Sequence, residues 1–415
     1  MGRALNVTAL FAGIGGFELG LHRAGHKTSL FCENDPEAAA VLAVRFPKVK
    51  IVPDVRDIDE LLESISPRSN LLTAGFPCTD FSQAGRTQGF AGTQSVLVRD
   101  TLRLLERRRF DHVLLENVPN WRKLHGGQYL EEVIGELERL GYHWAYRTVD
   151  AQAFGLPQRR LRLFLYASKV DDPRAVLFHG NVPETDIRRP LTECAHGFYW
   201  TEGTRGLGWG EDCVPTLKGG STISIPSPPA ILMPDGRIVT PDIRDAERLQ
   251  GFAAGWTDVE ESRKASDGLP FRHRRRWTQI GNAVNVEVST WIGRRIAQSR
   301  ETPSVPEAPL IRGEPWSEAA WGDGRRRWRV NISHWPVVRK PKPLSGFLKY
   351  PPALLSERAT AGFYKRISAS SLRFPDGFKE AVAKHLARME AQPLRKVSFP
   401  RKRGPIPLQA AEAAE

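Results

Sequence analysis

The chain predicts a doubly wound α/β protein: a parallel sheet with helices on both faces, joined to a small irregular β-rich lobe and a basic C-terminal extension. Three observations carry this. Over residues 1–167, short apolar runs alternate with amphipathic segments of helical length, the pattern of successive βαβ units. From Ser168 to about Thr240 that alternation gives way to Gly-, Pro- and Trp-rich sequence with short β-like runs. Beyond residue 300, 21 Lys and Arg face 11 Asp and Glu, so ten of the thirteen net positive charges lie there.

The elements follow in order. Strands are predicted at Leu5–Phe11, Thr28–Glu33, Val49–Val52, Leu71–Phe76, His112–Glu116, His143–Asp150 and Leu161–Ala167. Helices are predicted between them at Gly16–Ala24, Pro36–Phe46, Gln94–Arg108 and Tyr129–Leu140. Helical periodicity returns at Ile243–Gly251 and Ala283–Ala297, which assigns 1–168 and 241–300 to one domain and 169–240 to the lobe. Residues 301–415 form the extension. Its Pro/Arg/Trp-rich part, 301–342, is expected to lie extended over a surface. Phe374–Ala391 reads as one amphipathic helix with Phe378, Val382, His385 or Leu386, and Met389 on one face. The end, from about Arg401, is expected to be disordered.

Composition narrows the class. Forty per cent apolar and 26% charged residues are ordinary for a soluble globular protein. No apolar run is long enough to span a bilayer, and the N-terminus enters a strand pattern rather than a signal peptide. Four scattered cysteines (Cys32, Cys78, Cys194, Cys213) without a CxxC pair fit a reducing cytoplasm and give no zinc motif, so no metal is expected. The basic extension suits a polyanion such as nucleic acid. A solvated tail accounts for the charge equally well.

Two stretches carry chemistry. LFAGIGGFELG (Leu10–Gly20) sets glycines at a strand-to-helix turn, where a backbone can approach a ligand. Glu33 ends the next strand, 18 residues after Gly15, where a nucleoside-binding fold places its ribose carboxylate. Asp54 ends the third strand and can accept from an adenine amino group. No lysine follows the glycines, which argues against a nucleoside triphosphate. An adenosine-containing cofactor, a nicotinamide cofactor and a plain structural turn all remain open. In GFPCTDFSQAG (Gly75–Gly85) an apolar run stops at Pro77 and Cys78 opens a loop of small and polar residues. Such a thiol is a small core filler or a nucleophile at a strand end.

Together with ENV (Glu116–Val118), QRRLR (Gln158–Arg162), TPDIRDAERLQGF (Thr240–Phe252) and QIGNAV (Gln279–Val284), these stretches resemble, in order, the motifs of the DNA (cytosine-5) methyltransferase family of bacterial restriction-modification type. The sequence departs from the family's pattern at Asn285, where proline is common, at Leu161, where a polar residue is often seen, and in the long segment after residue 300. The resemblance implies a Rossmann-like core that uses S-adenosyl-L-methionine. The cofactor would be held by Phe11, Gly13, Gly15, Gly16, Glu33, Asn34, Asp54, Val55, Pro77, Leu97, Asn282 and Val284. It also implies double-stranded DNA as substrate, with the cytosine flipped out of the helix.

The chemistry explains why such residues are needed. C5 of cytosine is too poor a nucleophile to attack a sulfonium methyl until a thiolate adds to C6. Cys78 is the implied thiolate. Glu116 would hold N3 and favour its protonation, Arg162 would hold the O2 side, and Arg160 would aid the thiolate or a phosphate. The glycine-containing loop Thr79–Gly92 would close over the base, with Ser82 and Arg86 as DNA contacts. Residues 169–240 become the target recognition lobe, with Thr216 and Leu217 facing the flipped nucleotide. Trp200, Trp209, Arg205 and Lys218 are candidate contacts or lobe packing. A separately encoded restriction endonuclease or other defence proteins are implied partners, and a monomer suffices for one flipped base.

Two other readings compete. Many RNA cytosine-5 enzymes carry a second cysteine near the position of ENV, where this chain has Asn117. A transfer-RNA enzyme on the DNA-type scaffold stays open, as does a catalytically silent binding module. Residues 301–400, with WGDGRRRWRV (Trp321–Val330), are either an added DNA-contacting element or a scaffold packed on the core.

Overall fold

The computed structural model describes residues 3–76, 93–183, 189–219, 228–260, 274–298, 301–340 and 342–391, with the side chains of 93–96 excepted. Pro77, Cys78, Ser82, Arg86 and the rest of the loop to Gly92 lie outside the described residues, as does the C-terminal end. No helix among the described residues is long and apolar enough to cross a membrane.

The first half builds β1 (Asn6–Leu10), α1 (Gly16–Arg23), β2 (Lys27–Cys32), α2 (Pro36–Arg45), β3 (Lys50–Val52), α3 (Ile58–Ser64), β4 (Leu71–Gly75), α4 (Thr93–Arg107), β5 (His112–Asn117), α5 (Gln128–Arg139), β6 (His143–Asp150) and β7 (Leu161–Ser168). Strands β3, β2, β1, β4 and β5 lie side by side and parallel. Apolar runs buried on both faces place β1, β4 and β5 in the interior of the sheet. The wholly parallel sheet expected from sequence needs one correction. β7 runs antiparallel between β5 and β6, because residues 151–160 offer only a short link with one 3₁₀ turn, too little for a crossover. Helix α3 was not anticipated, although its cap was legible: the Asp57 carboxylate accepts from the Glu60 amide.

The second half adds α6 (Pro173–Leu177), β8 (His196–Phe198), β9 (Gly210–Glu211), β10 (Ala230–Leu232), β11 (Ile238–Thr240), α7 (Ile243–Leu249), α8 (Arg274–Asn282) and α9 (Val286–Ala297). Beyond residue 300 come β12 (Glu307–Pro309), β13 (Ala319–Gly322), β14 (Arg327–Val330), the short α10 (Leu344–Phe347), β15 (Ala353–Leu354), α11 (Glu357–Ser368) and α12 (Phe378–Glu390). Helix α9 starts later than periodicity suggested because the Asn285 side chain accepts from the amides of Glu287 and Val288 and so caps it.

The extension does not drape over a surface. β13 pairs antiparallel with β6, and β14 and β12 continue the same sheet. Ala319 and Ala320 are buried there, and the Trp316 ring meets those of Trp144 and Tyr146 at 6.1 and 6.0 Å. Buried Arg147 in β6 donates to the carbonyls of Leu177, Gly180 and Ser333, pinning the extension from beneath. Gly322 lies opposite Trp144, near the start of β6. The β13–β14 turn, with Arg325 and Arg326, therefore lies at the end of the sheet opposite the carboxyl ends of β1, β4 and β5.

The remaining extension belongs with the lobe. β15 joins β11, β10, β8 and β9 in a five-stranded sheet. One face of that sheet (Ile231, Val239) packs toward α7–α9; the other (Phe198, Ala230, Leu232, Ile238) is covered by Phe363, Ile367, Phe378 and Val382 of α11 and α12. Each large apolar side chain so buried contributes about 1.5–3 kcal/mol. On α12 the buried residue is His385 rather than Leu386: Nδ1 accepts from the Ile238 amide and Nε2 donates to the Leu355 carbonyl.

Candidate active site

Ligand sites in a doubly wound sheet lie at the carboxyl ends of the strands. After β1 the chain turns through Gly13 (φ +54°) and Gly15 (φ +80°). A Cβ on Gly13 would meet nothing within 4 Å among the described residues, so they leave room at this turn. A Cβ on Gly16 would stand 2.3 Å from the Val284 carbonyl, so the stretch before α9 sits directly on the turn. Glu33, at the end of β2, accepts from the amides of Gly13 (2.7 Å) and Asp35 (2.8 Å). Burial raises its pKa, and those two amides oppose the rise. Each carboxylate oxygen keeps lone-pair capacity for a hydroxyl.

Phe11 lies 5.7 Å from Phe76, ring to ring, with a left-handed backbone (φ +52°). Val55 is buried in the core and Leu97 is partly buried at its edge, while Asn34 and Asn282 are exposed. Asp54 is held by Arg56, whose guanidinium lowers its pKa. Beneath the turn, buried Glu18 of α1 accepts from the Thr73 hydroxyl at 2.9 Å. Burial pushes its pKa up to about 7.

Glu116, the last residue but one of β5, lies opposite Phe164 of β7, which makes Arg162 its diagonal neighbour. Arg162 Nε stands 3.0 Å from Glu116 Oε1, and both side chains are largely buried. Burial raises the Glu116 pKa against the pull of Arg162 and then Arg160. The other oxygen, Oε2, lies 3.8 Å from where a Cβ on Gly75 would stand, three residues before Cys78. Glu116 therefore faces the stem of the cysteine loop.

Arg160, also buried, donates to the carbonyls of Ala283 (2.8 Å), Gly281 (3.2 Å) and Leu217 (3.4 Å). It thus joins the catalytic sheet, the lobe and the segment before α9. Around it runs a buried amide chain that sequence reasoning missed. Gln158 Nε2 donates to the Leu249 carbonyl and to Gln250 Oε1, and Gln158 Oε1 accepts from the Leu217 amide. Asn285 Nδ2 reaches Gln250 Oε1 at 3.4 Å. The only signal was that Gln158 and Gln250 stood inside recognised motifs.

In the lobe, partly exposed Thr216 donates to the Arg159 carbonyl, whereas the Leu217 side chain is buried in the core. Trp209 stacks on His196 and meets Phe378, and Trp200 donates to the Pro228 carbonyl. These two tryptophans pack the lobe. Lys218 pairs with Glu202 and lies over the Tyr199 ring, and Arg205 is exposed.

The fold and site define an α/β core with a glycine turn and the Glu33 carboxylate at its strand ends and a buried carboxyl–guanidinium pair beside them. Comparison makes the class specific. The model of the C-5 cytosine-specific DNA methylase family matches residues 5–196. The type II methyltransferase M2.BsuMI of Bacillus subtilis (strain 168) is 43% identical over 384 residues, covering 90% of this chain and 96% of that protein. An alignment of that length reaches well past residue 300, so it includes part of the extension. M.DsaV of Dactylococcopsis salina, also a type II methyltransferase, is 27% identical over 323 residues, covering 71% of this chain and 86% of its own. The crystal structure of S. pombe Dnmt2 methyltransferase shares the fold, with a TM-score of 0.50 and 16% identity over 70% of this chain and 98% of that one. The chain belongs to the C-5 cytosine-specific DNA methylase family. It is a DNA (cytosine-5-)-methyltransferase.

Proposed function

We propose that the protein transfers the methyl group of S-adenosyl-L-methionine to C5 of a flipped-out cytosine in a specific duplex site, through a covalent bond between Cys78 and C6. The observation that carries this reading is the buried Glu116–Arg162 pair beside the stem of the Cys78 loop. Glu116, whose pKa burial raises, donates to N3 and withdraws charge from the ring as the Cys78 thiolate adds to C6. Arg162 holds the O2 side. After transfer, loss of the C5 proton and of the thiolate restores aromaticity.

The residues around the glycine turn fit the cofactor. No described residue crowds Gly13, Gly16 lets Val284 close over the turn, and Glu33 offers a half-buried carboxylate for ribose hydroxyls. When bound there, S-adenosyl-L-methionine supplies the electrophilic methyl. Phe11, Asn34, Asp54, Val55, Pro77, Leu97 and Asn282 complete the site in this reading; Ser82, Arg86 and Thr216 touch DNA, while Leu217, buried in the core, anchors that strip to Gln158 and Arg160 rather than meeting the nucleotide as expected from sequence. The likeness to type II methyltransferases supports a restriction-modification setting with a separately encoded endonuclease; one flipped base needs no second subunit, and scattered cysteines without a CxxC pair suit a reducing cytoplasm.

The test is methyl transfer from labelled S-adenosyl-L-methionine to mixed-sequence duplex DNA, followed by base-resolution sequencing, with Cys78→Ser alongside. A short recurring 5-methylcytosine site, absent with the variant, is expected. Labelling of transfer RNA with none on DNA would overturn the choice of substrate.

A further inference from the structure

The stretch 199–206 links β8 to β9 and lies against the strip Thr216–Lys218. Tyr199 Oη donates to the Thr216 carbonyl at 2.7 Å, and Lys218 Nζ stands 2.7 Å from Glu202 Oε1. Its other side rests on α11 of the extension. Arg366 donates from Nε to the Glu202 carbonyl at 3.0 Å and from Nη2 to the Trp200 carbonyl at 2.7 Å. Next to them, a Cβ on Gly203 would meet Ile367 at 2.9 Å and Phe363 at 3.3 Å. The stretch is therefore gripped from both sides, and one grip comes from residues that follow the last family motif by some eighty positions.

We propose that Arg366 is a positioning residue for target recognition. Its rigid fork of donors holds two carbonyls, two residues apart, in one geometry, which apolar contact alone does not do. Held so, Glu202, Lys218 and Thr216 present a single surface to the DNA. Without the fork, the stretch samples several positions and the surface discriminates less sharply between sites. This rests on the reading of 169–240 as the target recognition lobe.

The test compares the full chain with Arg366→Ala, Arg366→Lys, Phe363→Leu and Lys218→Ala. Each is assayed on mixed-sequence duplex DNA by base-resolution sequencing, and kinetically on the parental site and its single-base variants. For Arg366→Ala, kcat on the parental site should stay within about twofold, while discrimination against single-base variants falls by about tenfold. Arg366→Lys keeps the charge but not the fork and should relax site choice too; it carries the comparison should the alanine variant not fold. Phe363→Leu loosens the same helix without touching the donors and should leave site choice as it was. Unchanged discrimination in both Arg366 variants overturns the proposal. So does equal relaxation in Phe363→Leu at a matched melting temperature, which would make packing the cause. Lys218→Ala tells the two levels apart: if it relaxes site choice while the Arg366 variants do not, only the role of Arg366 fails. If none of these variants alters site choice, the lobe reading fails with it.

Discussion

Glu116 is governed by two opposed influences, burial that favours its neutral form and Arg162 that favours its charged form. Replacing Arg162 with Gln removes the second. The alkaline limb of the single-turnover pH–rate profile should then move to higher pH, because the carboxyl keeps its proton longer, while the rate itself drops. Glu116→Gln should lower the rate by about 10²–10⁴-fold, the usual range for a positioned proton donor. Glu18 makes a separate prediction about stability. Its folded pKa of about 7 lies above the ordinary 4.5, so the folded state holds a proton that the unfolded state has lost between those values. Stability from this group is intact below about pH 4.5 and declines as pH rises to 7, by on the order of 3 kcal/mol. Urea titrations should therefore find Glu18→Gln more stable than the parent at pH 8, with the advantage gone at pH 4.5. The candidate reacting side chains could be named from sequence because each stands inside a compact motif. Gln158, Gln250 and Arg160 were not legible as one cluster, since only folding brings 158–160, 250 and 281–285 together.

At the scale of elements, Asn285 shows how a departure from the family's pattern is absorbed. It caps α9 through two amides and also reaches Gln250. Asn285→Ala should cost about 1 kcal/mol by chemical denaturation, and because neighbouring Val284 packs on the glycine turn proposed to hold the cofactor, a higher KM for S-adenosyl-L-methionine is the expected accompanying change. The seven strands of the first half were legible from apolar periodicity, to within a residue or two at their ends. The reversed direction of β7 was not, because direction depends on the connection and not on the strand's own residues. β13 and β14 were hidden for a related reason. Their pattern is short and broken by Gly322 and Gly324, and it is the edge of β6, with Trp144 and Tyr146, that recruits them.

Across the whole molecule, the extension divides into two jobs. Its first part lengthens the catalytic sheet and its second part closes the core of the lobe. The charge count alone left a polyanionic partner and a solvated tail equally open, but topology sends the arginines of the β13–β14 turn to the end of the sheet away from the carboxyl ends of β1, β4 and β5. Arg325→Ala with Arg326→Ala should therefore leave DNA affinity and its salt dependence unchanged. Two lost phosphate contacts would instead reduce the log–log slope by about 1.8. The net charge of a segment was readable from sequence; the side of the molecule on which it acts was not.

The most direct measurement is trapping on duplex DNA of mixed sequence in which every cytosine is 5-fluorocytosine, with S-adenosyl-L-methionine present. Fluorine at C5 blocks the final elimination, so a thiolate that has added to C6 stays attached. The expected result is one covalent protein–DNA adduct, mapped by mass spectrometry to the peptide containing Cys78 and absent in Cys78→Ser. Methylation of ordinary DNA without any such adduct, or an adduct on Cys32, Cys194 or Cys213, would contradict the mechanism.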